Sequence, residues 1–547
     1  MDNRGTSIWT PLLLGLMLGI GLLVGFMLQS DAPFVLVGAN GSSGVTTGSG
    51  RLDQLLGFIE ARYVDEPDAE ELYRKAITSV LEELDPHSSF IPSEEIQSLK
   101  ESMEGNFEGI GIEYLVVDDT ITVVSALEGG PSDLIGLRGG DQIITVDDSL
   151  VTGVSEQGID PATLMRGAGG TEVNIGVRRP GMADMLDFTV TRAPIPVVSV
   201  DAAYTIDPET AYVKINRFSQ NTYSEFMTAL EEHLEEAGAR NLIIDLRGNP
   251  GGYLQEATKL LSELFVERGV LLVYTEGRSA NRQSYKSTGR ARYNIQKVAI
   301  LVDGGSASAS EIVAGAVQDH DRGIVVGRRT FGKGLVQEQY PLSDGSAVRL
   351  TVARYYTPSD RSIQRKYQGE ADYRGDLHRR YESGELTGRS GVNVDSSLIY
   401  YTDNGHPVYG GGGITPDYFV PLDSSLNEEN FLRLRQQIPA YMFTYLRMHP
   451  ETEKLDDVNE LLRYPIDTAQ VIADLVTLAR RDYDDVDGQL PTHLRDELSR
   501  YFRSRMARQL FAPADYYKVY NRDDNVVTEA LRLLRDGDPL AAAREED

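Results

Sequence analysis

Hydrophobic positions along the chain fall into successive patterns, and each pattern predicts a different kind of element. Gly5 to Ser30 is an uncharged run of 26 residues, centred on Leu12-Leu13-Leu14-Gly15-Leu16 and Ile20-Gly21-Leu22-Leu23-Val24. A helix rises about 1.5 Å per residue, so this run is long enough for the roughly 30 Å hydrocarbon layer. It reads as a single transmembrane anchor at 7–30 behind a cytoplasmic stub at 1–6. The competing reading is a cleaved signal peptide, whose apolar core is normally about 7–15 residues and ends in small residues. Phe26-Met27-Leu28-Gln29-Ser30 is a poor site of that kind, and the anchor is preferred. A Gly/Ser/Thr tether follows at 31–50 and is expected to behave as flexible coil. From 51 to 104 the apolar spacing turns helical: Leu52, Leu55, Leu56, Phe58 and Ile59, then Leu72, Ala76, Ile77, Val80 and Leu81. Asp85-Pro86-His87-Ser88 stops it, and His87 reads as part of a helix-ending turn that packs locally.

At 105–195 the period changes to short alternating β segments, such as Thr120–Val124, Gln142–Val146 and Glu172–Val177. Pro131-Ser132-Asp133-Leu134-Ile135-Gly136-Leu137-Arg138-Gly139-Gly140-Asp141 supplies a short helix and a tight turn between them. This order resembles a PDZ domain of the circularly permuted bacterial kind. Phe107-Glu108-Gly109-Ile110-Gly111-Ile112 matches that family's carboxylate-binding loop, which makes Gly109, Ile110, Gly111 and Ile112 candidate peptide-binding residues. Glycines there let backbone N–H groups converge on a C-terminal carboxylate, while the following strand accepts the peptide as an added strand.

Residues 196–423 alternate β and α, the pattern of a layered α/β core. Asn241–Arg247 and Val298–Val302 read as buried strands, each running into a glycine-containing turn and a helix. An insert at about 366–408 has no assignable role. Residues 424–547 are helical and amphipathic, either an oligomerisation or adaptor-docking module or a helical cap on its own core.

Composition removes several chemistries. The chain carries 53 Lys+Arg against 83 Asp+Glu, a net charge of −30 with no basic stripe, so nucleic acid is not an expected partner. Cysteine is absent, which excludes disulfides, thiol nucleophiles, Fe–S clusters and Cys-ligated zinc. The seven histidines form no HExxH pair, and neither metal nor cofactor is expected. A cysteine-free body behind an anchor suits an oxidising, extracytoplasmic space such as the periplasm.

A hydrolase here must find its base elsewhere. Ser306-Ala307-Ser308-Ala309-Ser310-Glu311 lies on a strand–turn–helix junction, where a serine Oγ can point out of the sheet end and free helix N–H groups can hold an oxyanion. Helix capping explains the same serines equally well. Thr330-Phe331-Gly332-Lys333-Gly334 tips the balance by placing one lysine between glycines in an apolar setting. Desolvation lowers a lysine pKa and frees the amine to act as a general base. Gly332-Lys333 is no phosphate loop, because the GxxxxGK[ST] spacing is missing.

Together with Leu246-Arg247-Gly248-Asn249-Pro250-Gly251-Gly252 and the PDZ-like segment, these motifs closely resemble the C-terminal processing (tail-specific) peptidases, serine family S41. The resemblance spans about 51–365. It implies that Ser308 is the nucleophile, Lys333 the base and Gln337 the residue orienting the lysine amine. It also implies an oxyanion hole from the backbone N–H of Ala309 and of a glycine in Gly251-Gly252. The expected function is a membrane-anchored Ser–Lys endopeptidase acting on C-terminal tails of extracytoplasmic proteins, with a homo-oligomer or adaptor as further partners. One departure from the family pattern is Asp303, where Asn is common. A tail-binding scaffold without catalysis and a His-containing tetrad hydrolase are the rivals; intact Ser308, Lys333 and Gln337 oppose the first and the lack of a suitably placed His the second.

Overall fold

The computed structural model describes residues 49–544 except 155–157, 368, 370–372, 374, 389 and 392–396, so the expected anchor at 7–30 and nearly all of the tether lie outside the described residues. Among the described residues no helix is long and apolar enough to cross a membrane. The chain divides into two compact units, Met1–Tyr73 and Arg74–Asp547. In the first, the helical spacing becomes helix Ser49–Arg62.

The second unit is built on a six-stranded sheet in the order Val200–Asp207, Thr210–Ile215, Asn241–Asp245, Lys297–Val302, Ile324–Gly327, Tyr418–Phe419. Its first pair is antiparallel and the others parallel. The parallel strands are apolar on both faces because both are covered. Leu242, Ile244, Val298 and Ile300 meet Phe226, Leu260 and Val313 of three helices on one side. Ile243, Ala299 and Leu301 meet Val526, Val527 and Leu533 of helix Asn525–Arg535 on the other. The last turns of the chain are thus part of the core of the α/β unit. The rest of the C-terminal helices close around their own core, including Phe431, Leu475, Leu494 and Phe502.

One expectation fails inside 51–104. Ser89–Ile91 is a strand rather than helix, pairing antiparallel with Ala347–Tyr356. Pro86 forbids a continuing helix, and the three residues gain their conformation from a partner some 260 positions away in sequence. Leu335–Pro341 pairs with the same long strand, as does Arg268–Glu276. This second sheet brings the His87 turn beside the strand that follows Lys333.

Residues 106–196 form a separate β unit. Its sheet runs Ile112–Val117, Thr120–Ala126, Gln142–Val146, Glu172–Arg178, Leu186–Thr191, with Ile112–Val117 at one end of the order. Strands Asn106–Gly109 and Ile112–Val117 are separated at Ile110 and Gly111, where Gly111 takes φ +72°. Entry and exit are zipped together, Asn106–Gly109 against Ala193–Pro196. The C-terminal bundle also reaches this unit: Arg508 pairs with Glu113 at 2.8 Å and Gln509 donates to the Val124 carbonyl at 2.7 Å.

Candidate active site

Strand Lys297–Val302 ends in the turn Asp303–Ala307, and helix Ala309–Asp319 begins directly after Ser308. Ser308 is held at φ 54°, ψ −114°, a left-handed conformation that costs a non-glycine residue on the order of 1–3 kcal/mol. Its neighbours enforce it. Ser306 and Ser310 are fully buried; Ser306 Oγ donates to the Leu246 carbonyl at 2.8 Å and Ser310 Oγ to the Asn249 carbonyl at 3.0 Å. Ala307 N donates to the same Asn249 carbonyl at 3.0 Å. Two of the three serines are therefore stitches between adjacent turns, and Ser308 alone of the three lines the cavity. Asp303, the departure from the family pattern, uses one carboxylate oxygen to accept from Gly248 N and Gly305 N, both at 2.9 Å. An asparagine carbonyl oxygen could accept the same two bonds, which explains why the exchange is tolerated.

The glycine turn packs directly on the serine. A Cβ built on Gly251, at φ +100°, would lie 2.7 Å from Ser308 Cβ and 2.9 Å from Ala309 N. Gly251 N donates to Asn249 Oδ1 at 2.8 Å, while Gly252 lines the cavity. Ala309 is the first residue of its helix, so its N–H is among those with no partner one turn back.

Lys333 approaches from the opposite side on a loop pinned by Glu311. One carboxylate oxygen of this buried residue accepts from Thr330 Oγ1 (2.5 Å) and Gly332 N (2.7 Å), and the other from Ser308 N and Lys333 N (both 2.8 Å). Burial pushes the Glu311 carboxyl above its usual value, and these hydrogen bonds pull it back. Tyr355 adds a second tie: its hydroxyl lies 2.7 Å from the Lys333 carbonyl and 3.1 Å from the Ser308 carbonyl, sharing one proton between them. The capping Glu three residues after Ser308 was visible in the sequence, whereas its grip on the lysine loop and the role of Tyr355 depend on pairings that leave no motif. Glu311→Gln turns one of these oxygens into an NH2 that faces donors. It is expected to destabilise the fold by about 3 kcal/mol, read as a lower denaturant midpoint; an unchanged midpoint contradicts the pinning role.

Lys333 Nζ donates to Gln337 Oε1 at 3.1 Å. Burial, reinforced by the Arg349 guanidinium, lowers the amine pKa below the usual lysine value, against the opposing pull of Asp85 and Glu311. Ser308, Ala309, Gly252, Lys333 and Gln337 all line one cavity of about 620 Å³. Its walls are mixed: Ile96, Leu99 and Met103 from helix Ser93–Glu104 and Leu254, Ile312 and Leu335 from the core are apolar, while Lys100, Glu338 and Arg349 bring charge to the same space. Gly109, Ile110, Gly111 and Ile112 do not line it. They lie in the β unit, joined to that same helix through Gly105 and the four-residue strand Asn106–Gly109. There the Ile110 carbonyl accepts from Ser132 Oγ at 2.6 Å and the Gly111 carbonyl from Leu127 N at 2.9 Å.

Residues 209–373 match the family model described as peptidase family S41. The chain is 33% identical over 364 residues to a carboxy-terminal-processing protease of Bartonella bacilliformis, covering 62% of this chain and 82% of that one. It is likewise 33% identical over 356 residues to the carboxy-terminal processing protease CtpB of Bacillus subtilis, covering 64% and 73%. Among solved structures, a photosystem II D1 C-terminal processing protease aligns at 28% identity over 58% of this chain and 91% of that one, with a TM-score of 0.33.

Proposed function

The chain belongs to peptidase family S41, among the carboxy-terminal processing serine endopeptidases, and from that premise we propose that it cleaves with a Ser308–Lys333 dyad and selects substrates by their free C-terminal tails. The observation that carries the dyad is the shared cavity: the only cavity-lining serine of the SASAS motif shares it with a lysine whose amine is pushed by burial below its usual pKa and donates to Gln337.

In the reaction, neutral Lys333 takes the Ser308 Oγ proton as Oγ attacks the scissile carbonyl carbon. Ala309 N–H and Gly252 N–H hold the oxyanion, since Gly251 N–H is engaged by Asn249. The tetrahedral intermediate collapses, the ammonium of Lys333 returns its proton to the leaving amine, and an acyl ester remains on Ser308. Water then attacks the ester with Lys333 again as base, releasing the acid and restoring the hydroxyl.

Capture of the tail falls to the β unit, acting as a PDZ domain. The Gly109–Ile112 loop would take the carboxylate, and Ile112–Val117, at the end of its sheet order, would accept the peptide as an added strand. The uncharged run at 7–30 would tether the body to the membrane on its extracytoplasmic side. The test compares cleavage of one unfolded substrate with a free and an amidated C-terminus. The free form is expected to be cleaved at least about tenfold faster, since a charge-assisted carboxylate contact is worth roughly 1.5–3 kcal/mol. Equal rates would remove tail delivery and spare the protease.

A further inference from the structure

The lysine amine does not stand alone, and the groups behind it come from parts of the chain that no catalytic motif includes. Gln337 uses both ends of its amide. Oε1 accepts from Lys333 Nζ at 3.1 Å, and Nε2 donates to the His87 carbonyl. With both ends committed, the amide cannot turn without losing a bond, so the position of the His87 carbonyl decides where Oε1 points.

Two constraints hold His87. Its backbone is gripped by Asp85, whose Oδ1 accepts from His87 N at 2.8 Å and Ser88 N at 2.9 Å. Ser88 Oγ in turn donates to Asp85 Oδ2 at 2.7 Å and accepts from Thr351 N at 3.2 Å, on the strand that Ser89–Ile91 joins. The side chain is held by a single residue of the inserted segment: His87 Nε2 lies 2.8 Å from Tyr373 OH, with the rings edge-on at 5.3 Å. Tyr373 is buried, and the Arg365 guanidinium lies 3.8 Å over its ring centre and 4.2 Å over that of Phe331. Arg365 pairs with Asp376 at 2.6 Å and donates from its backbone N to the Gly332 carbonyl at 3.0 Å. Tyr373 therefore wedges between the His87 turn and the residue that grips the lysine loop.

We infer that His87 and Tyr373 are positioning residues for the Lys333 amine: together they fix Gln337 in the orientation that accepts from Lys333 and keep water from the space behind it. This rests on the reading of Lys333 as the base. It gives the insert at 366–408 a function through Tyr373, and it gives His87 a role carried by its carbonyl rather than by proton transfer. The charged and titratable groups acting on Lys333 are Arg349, Asp85 and Glu311, with His87 close enough to feel its charge. Burial, the Lys333 ammonium and Arg365 push His87 down to about 4, with Asp85 opposing, so its imidazole is neutral from about pH 6 upward.

The sign of the effect follows. Only the neutral amine accepts the serine proton, so kcat/KM rises with pH through the Lys333 pKa. Opening the wedge admits water, which solvates the ammonium better and moves that pKa up, back toward 10.5. The experiment measures kcat and KM of the full chain on an unfolded protein substrate between pH 6 and about 10. It compares wild type, Tyr373→Phe, Tyr373→Ala and Lys333→Ala. Tyr373→Phe keeps the ring under Arg365 and loses the hydroxyl's bonds to His87, Gln364 and Arg365; its acid limb is expected to move up by about half a pH unit. Tyr373→Ala should move it by about one unit, which is roughly a tenfold loss at neutral pH. KM should stay within about twofold in both, because Tyr373 does not line the cavity. A merely structural role would lower the amplitude and leave the limb where it is. The inference is overturned if both variants keep the wild-type limb, whatever their kcat, and Tyr373→Phe decides alone should Tyr373→Ala not fold. Lys333→Ala separates the two readings: activity with an unchanged acid limb there removes the base assignment itself.

Discussion

Ser308→Ala and Lys333→Ala are each expected to lower kcat by at least about 10³-fold while leaving the thermal unfolding midpoint within a few degrees of wild type. The two losses should be of similar size, and the double variant should lose little more than either single one. Residues acting as one unit behave this way, because the first removal already eliminates the covalent path. Stability should hold because neither side chain is a stitch of the core: Ser306, Ser310 and Glu311 carry the buried hydrogen bonds of this junction. Removing Ser308 Oγ leaves its left-handed backbone and the Glu311 bond to Ser308 N in place. Lys333→Ala removes a desolvated amine, whose burial opposes the charged form. The measurement is steady-state cleavage beside a melting curve. Full activity in either variant would end the dyad assignment.

Gly251→Ala is the second large effect, and it acts through shape alone. The added methyl would sit 2.7 Å from the Ala307 carbonyl oxygen and from Ser308 Cβ, and 2.9 Å from Ala309 N. These are backbone or rigidly held atoms, so the two turns must separate. Separation pulls Gly252 N–H away from Ala309 N–H and would spoil the proposed oxyanion pair, an expected loss of about 10²–10³-fold in kcat. The left-handed φ of +100° adds a strain cost of roughly 1–3 kcal/mol to stability. A wild-type kcat in a folded Gly251→Ala protein would show that this turn does not shape the site. Asn249 is the structural reason the turn sits so close. Its Oδ1 holds Gly251 N, its Nδ2 donates to the Ile215 carbonyl at 3.0 Å, and its own carbonyl takes both Ala307 N and Ser310 Oγ.

Much of the site was legible one segment at a time. A serine on a strand–turn–helix junction, a lysine between glycines in apolar surroundings and a glycine pair after a buried strand are each local patterns. Short-range physics explains them: a positive φ at Gly251, Gly252 and Gly332 needs residues without a Cβ clash, and a helix start needs a capping acid. The SASAS motif by itself left capping and catalysis balanced. The lysine segment at Thr330–Gly334 tipped that balance, and the fold supplies the physical reason by committing Ser306 and Ser310 to carbonyls some 60 positions earlier and leaving Ser308 on the cavity wall. The short strand Ser89–Ile91 escaped notice for a related reason, since three residues carry no period of their own and pair where a long strand offers an open edge.

The C-terminal region shows the same division. Its amphipathic helices were plain in the spacing, and most close on one another. Nothing in that spacing reveals that Asn525–Arg535 covers a face of the catalytic sheet. Nor does it reveal that Arg247, in the turn that follows strand Asn241–Asp245, pairs with both Asp245 at 2.6 Å and Asp524 at 2.9 Å. A helix advertises an apolar stripe without naming its partner.

By itself, then, the sequence determined the chemical repertoire. With no cysteine and few histidines, a serine beside a lysine was the remaining hydrolytic pair, and the excess of acidic residues turned the search away from nucleic acid. Tertiary structure decided which serine is free, what lowers the lysine pKa and what aims its amine. Those properties belong to burial and to the meeting of Gln337, His87 and Tyr373 across some 290 residues of chain. Desolvation and hydrogen-bond geometry arise only when distant segments close on the same space, and no local pattern encodes them.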